Sequence, residues 1–268
     1  MKILITGGNG YIAKSLSNGL WEGVGRNNIS ILTRKELDLT DRDATNKWFE
    51  GTYFDVIIHT AIKGGSRLGK DDGDICYQNI QMFYNLLNNK HCFGKFINFG
   101  SGAELGMPTD PYGLSKNIIS KIITIEPNFY NIRIYGVFDE NELDTRFIKS
   151  NIKRYINKEP IQIHQNKIMD FFYMEDLVTL IKFYIYEDDL PKIIDCTYNE
   201  SMSLSNISHI INNLSDHKVK INIGKYNGSN YTGTPLLFNI KWIGLEQGIN
   251  KTYKTLHQNE ILQKGNNK

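Results

Sequence analysis

A short apolar run, KILI (2–5), breaks at once into glycines, TGGNGYIA (6–13), and helical spacing then follows at Ile12, Leu16 and Leu20. This order of strand, tight turn and helix constrains the fold more than any other feature, because it is how a parallel βαβ unit begins. Gly7, Gly10 and Ala13 fit a GxxGxxA spacing. In that spacing the first glycine makes the turn, the second lets the backbone approach a pyrophosphate, and the alanine lets helix pack on strand. The free amides of the helix N-terminus then face the phosphates. Taken alone the match serves equally well as a plain turn, so its meaning depends on what the rest of the chain supplies.

Strand-like and helix-like runs alternate after it. NISILT (28–33) is followed by ELDLTD (36–41) opening a polar helix and by DVIIHTA (55–61). A helix over 74–89, the strand KFINFGS (95–101), a helix from Pro111 to Ile125 and the strand NIRIYGVF (131–138) complete the first half. The strands are near-continuous apolar runs without polar alternation, as expected of a parallel sheet covered on both faces. The fold class is α/β: a doubly wound parallel sheet (Rossmann) over 1–138, joined by a smaller C-terminal α/β lobe over 139–268. In that lobe DTRFIKSNIKRYINKE reads as a helix, IQIHQNKIMDFFYM as a hairpin-like pair and EDLVTLIKFYIYED as a helix. KIIDCTY, near 192–198, reads as a strand returning to the main sheet. SLSNISHIINNL is a further helix with Ser203 or Ser205 as N-cap, and a strand KVKINIG and a closing helix follow. The polar tail QKGNNK is expected to fray.

Composition narrows the function. Thirty-one basic residues against 29 acidic give a net charge of +2 with no block of like charge, which argues against nucleic acid or a membrane surface as partner. Cys76, Cys92 and Cys196 are odd in number and widely spaced, so neither a disulfide framework nor a metal site is expected. The histidines show no ligand spacing. No apolar run reaches the roughly 18 residues of a membrane span, and the chain enters a strand pattern too early for a signal peptide, so a cytoplasmic location is expected.

Two further stretches carry chemistry. At the end of the second strand an acidic residue would bond the ribose 2′-hydroxyl of NAD. This chain has Thr33 and Arg34 there, which suit the 2′-phosphate of NADP, although Arg34 reads equally as a solvated surface arginine. Asp38 and Leu39, after the next strand, can cover the adenine, or Asp38 can serve as a helix cap. In PYGLSK, Tyr112 and Lys116 lie one helical turn apart behind Asp110 as N-cap and Pro111 at the first helical position. An ammonium beside a phenol stabilises the phenolate and lowers its pKa from about 10, which makes the pair a poised general acid. Ser101, ending the strand KFINFGS, sits where a βα loop points into the crevice and can hydrogen-bond a substrate carbonyl. Each has an ordinary structural reading on its own. All three following a glycine loop in this order do not.

TGGNGYIA, LDLTD, VIIHTAIKGGSR, YQNIQMFYNLL, FGSGAE, PYGLSK, NIRIYGVF, KIMDFFYMEDLV and GLEQGINKTY together make the chain resemble the extended short-chain dehydrogenase/reductase superfamily acting on nucleotide sugars. HTAIKGG and LTRKELDLTD resemble most the GDP-fucose synthase and deoxysugar 4-ketoreductase branch. The resemblance implies a Ser101, Tyr112, Lys116 triad, with Asn79 helping to hold the lysine through water and Lys116 gripping the nicotinamide ribose. The cofactor-binding set it implies is Gly7, Asn9, Gly10, Tyr11 and Ile12; Thr33, Arg34, Asp38 and Leu39; Thr60, Ala61, Ile62 and Lys63; and Asn79, Phe99, Tyr112, Lys116 and Tyr135. His59 is expected to pack beneath the cofactor. Arg146, Lys149, Arg154 and Lys167 are candidate partners for the substrate's phosphates, and Glu104 is a loop residue that can touch substrate hydroxyls. A homodimer through the helices of 74–89 and 111–125 is likewise implied.

The chain also departs from that pattern. Dehydrating relatives carry Asp and Glu directly after the catalytic Ser or Thr, where this chain has Gly102 and Ala103, and the fucose synthases place a cysteine where it has Ala103. The expected reaction is therefore an NADPH-dependent reduction of a nucleotide-linked 4-keto-6-deoxy sugar. A 4-epimerase holding NAD and a non-enzymatic NADP-binding sensor are the alternatives. Ser101 and Tyr112 are eleven positions apart, so residues 102–110 form a shorter lid than in relatives, a feature that fits a larger sugar or a lost activity.

Overall fold

The computed structural model describes residues 1–65 and 71–266. Ser66 and Arg67 of VIIHTAIKGGSR, and the end of the tail expected to fray, lie outside the described residues. The chain forms two compact units: Met1–Ile134 with Val178–Asp195, and Tyr135–Leu177 with the residues from Cys196 onward.

In chain order the elements are β1 (Ile3–Thr6), α1 (Tyr11–Val24), β2 (Ile29–Leu32), α2 (Arg42–Phe49), β3 (Phe54–His59), α3 (Gly73–Asn88), β4 (Phe93–Ser101), α4 (Pro111–Ile125) and β5 (Phe129–Ile134). They continue through β6 (Val137–Phe138), α5 (Phe147–Ile156), β7 (Ile161–Ile163), β8 (Ile168–Met169), β9 (Phe172–Tyr173), α6 (Met174–Tyr186), β10 (Ile193–Asp195), β11 (Met202–Ser203), α7 (Leu204–Asn212), β12 (Ile221–Ile223) and α8 (Leu245–Asn266).

The first unit is a six-stranded sheet of order β10-β5-β4-β3-β1-β2, with every pairing parallel. This is the doubly wound sheet that the uninterrupted apolar runs predict, and β10 is the expected returning strand. β1 is buried along its whole length, as a central parallel strand covered on both faces must be. On one face Leu4, Ile57 and Phe96 of the strands meet Phe49 of α2, Phe83 and Leu86 of α3, and Ile119 and Ile123 of α4. The rings of Phe96 and Phe129 stack at 4.7 Å in this layer. The chain leaves β1 for β2 on one side and returns to β3 on the other, so the switch point, where such sheets form a crevice, lies between β1 and β3.

No strand intervenes between β2 and α2, contrary to the expectation that Asp38 and Leu39 follow one. Leu37 and Leu39 are buried in the core, and the cap of α2 is Asp41, whose carboxylate accepts from the Ala44 amide at 2.9 Å. NIRIYGVF is not one strand either. It breaks after Ile134, and Gly136, where a Cβ would lie 2.8 Å from the Phe171 ring, lets the backbone pass close to that ring; β6 then pairs in parallel with β9.

The second unit has its own core around Phe138, Ile148, Ile152, Ile161, Ile207 and Ile249. IQIHQNKIMDFFYM does not pair with itself: β7 pairs in parallel with β12, and β8 pairs antiparallel with β11. Gly224 admits the first of these pairings, since a Cβ there would sit 1.9 Å from the His164 carbonyl. Ser203, not Ser205, caps α7, accepting from the Asn206 amide at 3.1 Å. Among the described residues no helix is long and apolar enough to cross a membrane.

The helix carrying the glycine loop is seated on α6 through Gly19, where a Cβ would come within 2.7 Å of Val178. Gly19→Leu is therefore expected to lower the stability of the first unit by about 1–3 kcal/mol in a denaturant titration. Gly23→Ala, whose Cβ would meet only Tyr186 Oη at 3.8 Å, is expected to raise it by up to about 1 kcal/mol. Equal effects at the two glycines would contradict this packing.

Candidate active site

The carboxyl ends of β1, β2 and β3 enclose a cavity of about 280 Å³. Of the residues expected to hold a cofactor, Gly7, Asn9, Gly10, Thr33, Arg34, Asp38, Leu39, Thr60, Ala61, Ile62 and Lys63 line it. Leu32, Leu37, Thr40, Gln78 and Met82 complete the lining and were not anticipated; Gln78 and Met82, one turn apart on α3, could have been found from the helical period. A wider depression of about 780 Å³ near Arg42, Phe49, Tyr53 and Cys92 lies at the amino ends of β3 and β4. That is the edge opposite to the one where sheets of this kind place ligands.

The glycine loop has the shape of a phosphate cradle. Gly7 has φ +72°, and a Cβ on it would lie 2.7 Å from the Ala61 backbone nitrogen, which cannot yield. Gly8, whose role sequence reasoning missed, donates to the Leu32 carbonyl at 2.9 Å, and a Cβ there would collide with Ile31. Asp41, Asp72 and Asp110 cap α2, α3 and α4 with their side chains, whereas α1 begins behind Gly10 with no side-chain cap and no acidic residue in its first turn. A helix N-terminus so arranged favours an anion. Tyr11 and Ile12 open α1 but do not line the cavity, and Ala13 is fully buried, as its packing role requires.

At the far rim Glu36 accepts from both the amide and the hydroxyl of Thr33 at 2.8 Å. Arg34 reaches Asp38 through Nε at 3.0 Å and Nη2 at 2.8 Å, and Asp38 also accepts from the Thr40 amide and hydroxyl. The Arg34 side chain remains 65% exposed. Such a surface pair contributes roughly 0–1 kcal/mol, so its guanidinium exchanges partners at little cost.

The expected triad sits at the end of β4, with Ser101, and on α4, with Tyr112 and Lys116. Asp110 caps α4 through the Gly113 amide at 2.7 Å, and Pro111 occupies the first turn. Lys116 is buried, and its ammonium donates to the carbonyl of Phe99, which explains Phe99's place at the site. Its Nζ lies 5.9 Å from the centre of the Tyr112 ring. Burial pulls Lys116 down to about 8, with the Glu104 carboxylate opposing. Ser101, at the end of β4, accepts from the Ala103 amide at 3.2 Å. The turn it begins lies directly on the first turn of α4, since a Cβ on Gly113 would be 2.6 Å from the Ala103 carbonyl. Gly65, with φ +71°, packs on the Tyr112 ring; a Cβ there would lie 2.7 Å from it.

Other expected residues take different parts. Asn79 is buried and pins both backbone groups of Lys63, at 2.8 and 3.0 Å, and the Ser115 hydroxyl at 3.1 Å. It thus organises the wall of the cavity. His59 shares a hydrogen bond with Thr6 at 2.8 Å, and burial, reinforced by the Lys116 charge, holds it down at about 3, so it is a neutral supporting group. Glu104 is not a loop residue facing a ligand. It is 2% exposed and bonded inward to Asn131 and Arg133, both at 2.8 Å.

Tyr135 opens the second unit, where its ring meets Tyr231 edge-on at 5.0 Å. In that unit Lys149 is taken up by Asp144 at 2.9 Å and the Glu142 carbonyl at 2.7 Å. Arg154 pairs with Glu159 at 3.4 Å, Arg146 stands at the N-cap of α5, and Lys167 lies 5.9 Å from the centre of the Tyr231 ring.

The profile of the NAD dependent epimerase/dehydratase family matches residues 3–196. CDP-abequose synthase of Yersinia pseudotuberculosis is 23% identical over 256 residues, covering 84% of this chain and 89% of that protein. Among solved structures, GDP-mannoheptose C4 reductase from Campylobacter jejuni with NADP bound superposes with a TM-score of 0.78 at 15% identity, covering 95% of this chain and 98% of that one. UDP-glucuronic acid 4-epimerase from Bacillus cereus, in complex with UDP-glucuronic acid and NAD, gives 0.72 at 19% identity, covering 96% and 99%.

The Lys116 ammonium is costly to the fold, and its pH dependence gives the sign. Its pKa is about 8 in the folded chain and 10.5 in the unfolded chain, so between these values the unfolded state binds more protons and stability rises with pH. Against Lys116→Met, the wild type is expected to gain on the order of 3 kcal/mol in unfolding free energy from pH 8 to 10.5. A constant difference over that range would rule out a buried, titrating lysine.

Proposed function

The chain belongs to the NAD dependent epimerase/dehydratase family, and from that premise we propose that it is an NADPH-dependent reductase of a nucleotide-linked 4-keto-6-deoxy sugar. The observation that carries this reading is the buried Lys116 ammonium, one helical turn from Tyr112 on α4 and bonded to the β4 strand that ends in Ser101. The names of the relatives and neighbours described above share a nucleoside diphosphate sugar, which supports the substrate class.

The cradle fits a nicotinamide dinucleotide. Gly7, Gly10 and the first turn of α1 would hold its pyrophosphate, and the apolar walls Leu32, Leu37, Leu39 and Met82 suit a flat base. Thr33 and Arg34 would take the 2′-phosphate of NADP, with Arg34 exchanging a weak surface pair for a bidentate one. Bound in reduced form, the cofactor supplies a hydride to the C4 carbonyl carbon. Tyr112 gives its phenolic proton to the carbonyl oxygen, so the ketone becomes an alcohol, and Ser101 holds the same oxygen by a hydrogen bond. The Lys116 ammonium stabilises the phenolate until a proton returns from solvent. Gly102 and Ala103 offer neither a carboxyl pair for dehydration nor a thiol for the cysteine route of epimerisation, which supports reduction; a 4-epimerase that oxidises and re-reduces C4 through the same tyrosine and lysine is the second reading.

An isolated protein incubated with NADPH and a panel of 4-keto nucleotide sugars is expected to consume the near-ultraviolet absorbance of the reduced nicotinamide. Tyr112→Phe is expected to lower kcat by ~10²–10⁴ while NADPH still binds. No consumption with any member of the panel overturns the reductase reading, and tightly held NAD released on denaturation points to an epimerase instead. Arg34→Ala is expected to weaken NADPH at least about tenfold and to leave NADH unchanged; equal losses for both would argue against the 2′-phosphate contact.

A further inference from the structure

Glu104 is a buried acid that the reaction just described does not use. Its carboxylate accepts from the Ser101 amide at 3.2 Å, the Asn131 amide group at 2.8 Å and Arg133 Nε at 2.8 Å. Its own carbonyl accepts from Asn117 on α4 at 2.7 Å. With the Ser101 side chain bonding back into the turn, Ser101 and Glu104 close a reciprocal capping box around Gly102–Glu104. Arg133 goes on to Asp195 at 2.9 Å, so the turn is tied through Glu104 to β5, β10 and α4 at once. Gly100 makes the room: a Cβ there would stand 2.7 Å from both Glu104 Oε2 and the Asn131 amide.

The charges close as well. Glu104, Arg133 and Asp195 sum to one negative charge inside the fold, and the Lys116 ammonium attracts Glu104 from the other side. The groups facing Lys116 are Tyr112 on its own helix, His59 on β3, which is neutral, and Glu104. Those facing Glu104 are Arg133, Lys116, the Ser101 amide and the Ser120 hydroxyl. Taking the reductase reading as its basis, we propose that Glu104 is a positioning residue that fixes the Ser101 turn on α4 and gives the buried Lys116 ammonium its counter-charge. Burial alone pushes the Glu104 carboxyl up and Lys116 down, toward a neutral pair that would leave a phenolate unsupported. Arg133 and the converging donors oppose that outcome from the Glu104 side.

The test reads Lys116 directly. In the full chain labelled with ¹⁵N-lysine, the Nζ resonance of Lys116, assigned by its loss in Lys116→Arg, is expected to titrate near 8. Glu104→Gln is expected to lower that midpoint by about one pH unit or more, and Glu104→Asp to restore most of it. Asp195→Asn leaves every bond of Glu104 in place and is expected to lower the midpoint by a smaller step, so the question is still answered should Glu104→Gln fail to fold. The alkaline limb of the kcat/KM profile is expected to move with the midpoint. An unchanged Lys116 midpoint in folded Glu104→Gln or Asp195→Asn overturns the proposal even if turnover persists. Absence of turnover in the wild type overturns the reductase reading while the lysine titration remains readable.

Discussion

The bond from the Lys116 ammonium to the carbonyl of Phe99 is the interaction on which the site depends. It places a cation inside the fold, where desolvation opposes it, and so obliges the surroundings to compensate. The compensation is visible in sequence order along β4: Phe99 supplies the acceptor, Gly100 the space, Ser101 the turn and Glu104 the opposing charge. The end of one strand and the turn after it thus carry both Ser101 and the groups that surround the buried lysine.

The same economy governs the cofactor side. Gly7 and Gly8 let β1 run close under the ends of β2 and β3, and Gly65 lies against the face of the Tyr112 ring. In each place a methyl group would displace something that cannot move far. The polar groups around the cavity are already organised by partners within the unit: Asn79 on the Lys63 backbone, Glu36 on Thr33, and Thr6 between His59 and the Ala61 amide. Preorganisation of this kind lowers the cost of ordering a site when a ligand arrives.

Much of the first unit was legible because its signals are local. The short uninterrupted apolar runs against the helical period of 3.6, the Asp-Pro start of α4 and the glycine cluster each state their structure within a few residues, and α4 runs from Pro111 to Ile125 as its pattern predicts. The one-turn spacing of Tyr112 and Lys116 is likewise a local fact. What misled was whatever depends on direction. Glu104 reads as a loop residue within reach of substrate hydroxyls until Asn131 and Arg133, nearly thirty residues on, are brought against it. The pairing of Lys149 with Asp144 is likewise invisible in the sequence pattern.

By itself, then, the sequence determined the parallel sheet, the glycine turn at its switch point and the one-turn spacing of Tyr112 and Lys116, since backbone sterics and side-chain periodicity encode these within one or two turns of chain. Tertiary structure alone decided that β7 pairs with β12 rather than with its neighbour, that Asp41 and not Asp38 caps α2, and that Glu104 faces inward. Those outcomes follow from which distant groups satisfy a buried donor, acceptor or charge, and the cost of leaving one unsatisfied is set by packing that no local pattern contains.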